Sequence, residues 1–184
     1  MRIIGGEFRG RRLASVGAGD AAAHLRPTSD RVRESLFNIL NGHDVLEGAR
    51  VLDLFSGTGT LGLEALSRGA QTVCFVENGR VAQRLLRENI ALCRAEARVQ
   101  VITRDARRLG ACPGDGFDLV FLDPPYGKAL GEAALDAVLA NGWIACGAMV
   151  VWEENTEVTT PPGLRLLDAR RYGATIIRIL ERVA

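Results

Sequence analysis

Lysine is almost missing from this 184-residue chain: Lys128 stands alone, so nearly all of its positive charge is carried by arginine. Histidine is as sparse, and His24 and His43 stand apart with no ligand or nucleophile at useful spacing. Cys74, Cys93, Cys112 and Cys146 form no CxxC pair and have no histidine at ligand distance. That spacing argues against a zinc site or a disulfide framework and for incidental thiols in a reducing compartment. No apolar run approaches the roughly 20 residues needed to cross a bilayer, and the opening MRIIGGEFRGRRL lacks the long apolar core of a signal peptide. The expectation is a cytoplasmic protein away from membranes, using no metal. A net charge of +1 gives no global nucleic-acid signature, and 47% hydrophobic with 24% charged residues is the composition of an ordinary globular domain.

Where the charge sits is more informative than its sum. Arg2, Arg9, Arg11 and Arg12 face only Glu7 between Met1 and Leu13, and Arg26, Arg31 and Arg33 follow. Arginine suits bidentate phosphate contacts, so this segment reads as a local nucleic-acid face. Because arginine is the default cation here, a merely solvated face is the competing reading. Gly5, Gly6 and Gly10 within the segment suggest a short hairpin outside the main sheet. The Gly/Ala-rich residues 14–24 read as a loop. Pro27, Thr28, Ser29 and Asp30 then supply helix-start chemistry ahead of Val32, Leu36, Ile39 and Leu40, one apolar helical face that Asn41 and Gly42 terminate. Arg31 and Glu34 fall on its polar side.

From Arg50 the pattern alternates. Strands are predicted at 51–55, 72–77, 99–104, 117–122 and 148–153, with helices at 60–67, 79–93 and 130–140. This is the signature of an α/β fold with a mostly parallel, Rossmann-like sheet. The last two strands, 164–171 and 175–180, are joined too closely for a crossover helix and predict a C-terminal antiparallel hairpin. Residues 1–42 are expected to form a small hairpin-and-helix extension on a main domain of 43–184.

Sheets of this kind bind ligands beyond the carboxyl ends of their strands. Asp53, Glu77, Asp105 and Asp123 lie at four consecutive ends. Gly57, Gly59 and Gly62 spell GxGxxG after the first strand, which any adenosine-bearing cofactor could use, a nicotinamide dinucleotide included. Glu77 can accept from both hydroxyls of a ribose, and Asp53 can pair with an amino group that a pyrophosphate would not supply. S-adenosylmethionine carries an amino group, a carboxylate, a ribose and an adenine, and each has a plausible partner. After the fourth strand, Asp123, Pro124, Pro125 and Tyr126 form a stiff turn. Asp123 and the Pro124 carbonyl can accept the two N–H bonds of an exocyclic amine while Tyr126 stacks on its ring. A strand stopping at a Pro-Pro turn is the plainer explanation of the tetrapeptide taken alone.

The run VLDLFSGTGTLGLEALSRGA, the strand end Val76-Glu77-Asn78 and LDPPYG, in that order, resemble class I S-adenosylmethionine-dependent methyltransferases that act on exocyclic amines. The segments MRIIGGEFRGRRL and RPTSDRVRESLFNIL narrow the resemblance to the RsmD-type bacterial enzymes, which methylate the N2 amine of a guanine in small-subunit ribosomal RNA. The resemblance implies that Asp53, Phe55, Ser56, Gly57 and Gly59 wrap the methionine moiety. It places Glu77 and Asn78 at the ribose, Asp105 and Ala106 beside the adenine, and Thr28 where the cofactor pocket closes. Asp123, Pro124 and Tyr126 would hold the amine, with Asp123 also next to the cofactor. Arg9, Arg11, Arg12 and Arg33 would meet RNA phosphates, and a monomer acting on ribosomal RNA or an assembling subunit is implied. A DNA adenine-N6 methyltransferase, a non-catalytic RNA-binding assembly factor and a nicotinamide-dependent dehydrogenase are the alternatives the residues leave open.

Overall fold

The computed structural model describes residues 1–15, 29–126 and 129–183. Helix α1 spans Asp30–Gly42, and Ser29 caps it by accepting the Val32 N–H at 3.3 Å. There follow β1 (Arg50–Leu54), α2 (Thr60–Ser67), β2 (Thr72–Val76), α3 (Arg80–Cys93), β3 (Val99–Ile102), β4 (Phe117–Leu122), α4 (Leu130–Ala140), β5 (Ile144–Glu154), β6 (Leu164–Tyr172) and β7 (Thr175–Arg182). The strands form one seven-stranded sheet in the order β3-β2-β1-β4-β5-β7-β6. The first five pair in parallel, and β7 runs antiparallel between β5 and β6. The expected α/β sheet with its C-terminal antiparallel hairpin is therefore what the chain forms. Strand β3 is shorter than expected because its one neighbour, β2, ends at Val76 opposite Ile102. Strand β5 is longer, starting at Ile144 opposite Phe117 before an irregularity in register.

Alternate residues of the central strands feed two cores. Val51, Leu119, Phe121 and Val151 face one, with Leu36, Phe37, Leu40, Leu63 and Leu86 from the helices; Leu52, Leu54, Val120 and Leu122 face the other, with Leu135, Val138 and Trp152. None of the described helices is long and apolar enough to cross a membrane.

The N-terminal residues stay outside the sheet, with a single antiparallel bridge between Arg2 and Arg12. They are nonetheless firmly docked. Ile3, Phe8 and Leu13 are buried in the same core as Phe37 and Phe121, and the Ile4 and Gly5 N–H groups donate to the Glu64 carboxylate at 2.8 and 2.9 Å. Glu64 also pairs with Arg68 at 2.7 Å and faces Arg33 at 3.9 Å. Arg33 is 0% exposed, bonded to Asp30 at 2.6 Å and to the Arg2 carbonyl at 2.9 Å. This corrects the expectation that Arg33 meets RNA phosphates: its guanidinium is sealed beneath the N-terminal segment and joins that segment to α1 and α2.

Candidate active site

Between β1 and β4 the strand order reverses, since β1 leads outward to β2 and β3 on one side and β4 to β5 on the other. Such a reversal opens a crevice at the strands' carboxyl ends. Leu54 is aligned with both Val76 and Leu122, so the loop after β1, Glu77 after β2 and Asp123 after β4 emerge side by side.

The loop after β1 is tightly wound. Phe55, Gly57 and Gly59 have φ of 57°, 55° and 78°. The left-handed region is ordinary for glycine and unfavourable for a bulky phenylalanine, so Phe55 is held there by its surroundings. Ser56 N donates to the Val76 carbonyl at 3.1 Å and Gly59 N to the Ser56 carbonyl at 2.7 Å. A Cβ on Gly59 would lie 2.3 Å from Leu86 Cδ1, and one on Gly62 only 2.4 Å from the Phe75 ring. Gly62 thus serves the packing of α2 on β2, and Gly59 the approach of the loop to α3.

Glu77 ties two turns together. Its Oε2 accepts the Gly57 N–H at 2.8 Å and its Oε1 the Gly79 N–H at 2.6 Å. Each carboxylate oxygen can accept a second bond, and the residue is half-buried beside exposed Asn78. Glu77 therefore fits a vicinal diol, as a ribose would present. Asp105 caps the short 3-10 turn Ala106–Arg108, accepts the Arg107 N–H at 3.0 Å and is clasped by the Arg107 side chain. The hydrogen bond from the Arg107 side chain holds its carboxyl below the usual range. Ala106 is buried in the second core.

Asp53 departs from expectation. It is 1% exposed, and its Oδ2 accepts the Gly62 N–H at 2.9 Å, so it braces the start of α2 from within where an open contact with an amino group was expected. Burial, followed by the nearby Glu77 charge, pushes its pKa from 3.8 up to about 7 although the Gly62 bond opposes the shift. The folded state then binds a proton more tightly than the unfolded chain, so Asp53 stabilises the fold less as pH rises from about 4 to about 7. Asp53→Asn, which keeps an acceptor for Gly62, should flatten that part of the stability–pH curve in urea titrations. An unchanged slope would remove Asp53 as its source.

Asp123 is half-buried at the end of β4. Burial, then the negative charges of Glu153, Asp53 and Glu154, push its pKa well above the usual carboxylate range. The pairing of Leu122 with Trp152 sets Asp123 beside Glu153 on β5. The Tyr126 hydroxyl donates to Glu153 Oε1 at 2.8 Å and lies 3.0 Å from Thr175 Oγ1 on β7. Tyr126 is thereby tethered at its phenolic end, and burial pushes its pKa up so that the hydroxyl stays neutral. Pro124 packs so near Gly131 that a Cβ there would come within 3.1 Å of its ring.

Two site features were not among the expected residues. Glu153 is the penultimate residue of β5, the fifth parallel strand, and the strand-end rule that found the other four acids reaches it as well. Asn89, 0% exposed on α3, donates to the Thr58 carbonyl at 2.9 Å and to the Ala14 carbonyl at 3.1 Å, and accepts the Ala14 N–H at 2.7 Å. It ties the N-terminal segment to the glycine loop, and no local pattern marks it. Arg9 and Arg12 are exposed, whereas Arg11 is bonded to the Leu92 carbonyl with its guanidinium 5.9 Å from the Phe8 ring centre. Thr28 lies outside the described residues. Among the described residues no group of His, Cys, Asp and Glu could hold a metal ion.

A family model described as conserved hypothetical protein 95 matches residues 1–181. Ribosomal RNA small subunit methyltransferase D of Escherichia coli K12 is 38% identical over 187 residues, covering 100% of this chain and 91% of the relative. The Haemophilus influenzae protein of the same name is 33% identical, covering 98% of this chain and 93% of its own length. A solved structure of a candidate methyltransferase from Escherichia coli superposes with a TM-score of 0.87 at 38% identity, covering 100% of this chain and 98% of the other. A hypothetical protein from Thermus thermophilus gives a TM-score of 0.76 at 30% identity, with coverage of 97% and 98%.

Proposed function

The chain belongs to the conserved hypothetical protein 95 family, and from that premise we propose that it methylates the exocyclic N2 amine of a guanine in small-subunit ribosomal RNA, using S-adenosylmethionine. It is a methyltransferase of ribosomal RNA. That an exocyclic amine is the acceptor is supported by one juxtaposition: the loop braced by Glu77 and the Asp123-Pro124-Pro125-Tyr126 turn leave adjacent strands at the same end of the sheet; guanine N2 follows from the family.

S-adenosylmethionine, when bound, supplies a methyl group on a positively charged sulfur. Glu77, with an acceptor position left on each oxygen, would hold the ribose hydroxyls, and the loop from Phe55 to Gly59 the methionine end. Asp123 and the Pro124 carbonyl accept the two N–H bonds of the amine. Its lone pair, otherwise delocalised into the purine, is thereby turned toward the methyl group, and positive charge growing on nitrogen meets a carboxylate. Tyr126, tethered through its hydroxyl to Glu153 and Thr175, presents its ring to a base taken out of the RNA. Arg9 and Arg12, exposed on the N-terminal hairpin, contact phosphates.

Calorimetric titration tests the cofactor assignment. S-adenosylhomocysteine should bind the isolated protein and NAD should not. Binding of NAD alone would favour a dehydrogenase and sink the proposal.

A further inference from the structure

A groove of about 410 Å³ lies between α1 and the β6–β7 turn, lined by Arg31, Val32, Ser35, Tyr172 and Gly173. Its place in the fold connects it to the active site. Strand β7 runs antiparallel to β5, with Ile176 opposite Glu154, so the β6–β7 turn stands at the carboxyl end of the parallel strands. Tyr172 and Thr175 are partners across that turn. Thr175 also touches the Tyr126 hydroxyl at 3.0 Å. One short turn therefore carries both a wall of the groove and an anchor of the base-stacking ring.

The lining presents an aromatic ring and a cation side by side. The Tyr172 hydroxyl and Ser35 Oγ are 2.8 Å apart, which fixes the aromatic side chain against α1. Arg31 is exposed, and among the described residues it makes no ion pair; Arg170 and Arg171 on the nearby strand are held by Asp168 and Glu157. Arg31 also sits in the first turn of α1, where the helix dipole disfavours a cation. Its charge is thus available to a phosphate and is not explained by helix stability. The volume falls within the roughly 300–1,000 Å³ of small-ligand sites.

We propose that this groove takes a nucleotide neighbouring the target guanine on the RNA strand, with its phosphate on Arg31 and its base or ribose against Tyr172. The proposal rests on the RNA-methyltransferase function above. It gives the enzyme a second grip on the strand at the active end of the sheet, separate from Arg9 and Arg12 on the N-terminal hairpin.

The test is steady-state methylation of small-subunit ribosomal RNA by the native protein, Arg31→Gln and Tyr172→Leu, with S-adenosylhomocysteine affinity measured alongside as a check on folding. Each variant should raise the KM for RNA roughly tenfold, the scale of losing one charge-assisted contact or one stacked base. Arg31→Gln should also lower the slope of log affinity against log salt by about 0.7–0.9, as loss of one phosphate contact requires. S-adenosylhomocysteine affinity should be unchanged in both. An RNA KM and salt slope indistinguishable from native in Arg31→Gln would overturn the groove assignment while leaving the methyltransferase reading in place. A native protein that binds S-adenosylhomocysteine but transfers no methyl group to the RNA would overturn both.

Discussion

Replacing Asp123 by alanine should lower turnover roughly 10²–10³-fold, the scale seen when a preorganised group that meets transition-state charge is removed, and leave S-adenosylhomocysteine affinity nearly intact. The guanine amine is a poor nucleophile, and Asp123 is the one group in the turn that can both orient it and carry a full negative charge toward it. The Pro124 carbonyl remains in the variant, so orientation is only half lost, whereas the electrostatic contribution disappears. The pH profile of the native enzyme should carry the same signature. Asp123 can meet the positive charge growing on the amine only when it is ionised, and burial together with Glu153, Asp53 and Glu154 pushes its pKa well above the ordinary 3.8. Activity should therefore rise with pH through a range above that of a solvated carboxylate. Turnover by the purified alanine variant within a few fold of native would remove Asp123 from the reaction.

The second large effect is on stability. Glu64→Ala should cost about 3–5 kcal/mol, the usual penalty for stranding one charge of a buried pair. Arg33 is 0% exposed and Glu64 likewise, and the same carboxylate accepts two N–H groups from the N-terminal segment and pairs with Arg68. Its loss leaves the Arg68 guanidinium and two backbone donors without their acceptor and removes the buried charge facing Arg33, in a core shared by α1, α2 and the N-terminus. At this chain length a melting temperature lower by roughly 10 °C is expected. The exposed Arg2–Asp30 pair offers the contrast, since a surface ion pair contributes at most about 1 kcal/mol. Thermal and urea melts of Glu64→Ala check this, and a loss below about 1 kcal/mol would contradict the role given to the buried cluster.

The main sheet was legible because its signals are local. Leu119 to Leu122 must be buried on both faces, helical spacing intervenes between such runs, and the link between the last two strands is too short for a crossover. The amine-binding turn was legible for the same reason, its carboxylate, prolines and tyrosine being contiguous. What could not be read is what depends on partners distant in the chain. Arg33 shares the i, i+3, i+4, i+7 stripe of Leu36, Phe37 and Leu40, yet besides nearby Asp30 its buried guanidinium is met by Glu64, 31 positions on, and by the Arg2 carbonyl. Asp53 was correctly placed at a strand end, but its turn inward to Gly62 follows from how α2 packs. Tyr126 is positioned by Glu153 and Thr175 from strands whose adjacency only the topology reveals. Asn89 has no local signature, because its role arises where three segments meet.

The most direct measurement is mass spectrometry of nucleosides from small-subunit ribosomal RNA incubated with S-adenosylmethionine and either the native chain or Asp123→Ala. The native protein should produce N2-methylguanosine, with the variant yielding little or none. A methyl group found only on adenine, or no methylated nucleoside in the native reaction, would contradict the function assigned to the turn at the end of β4.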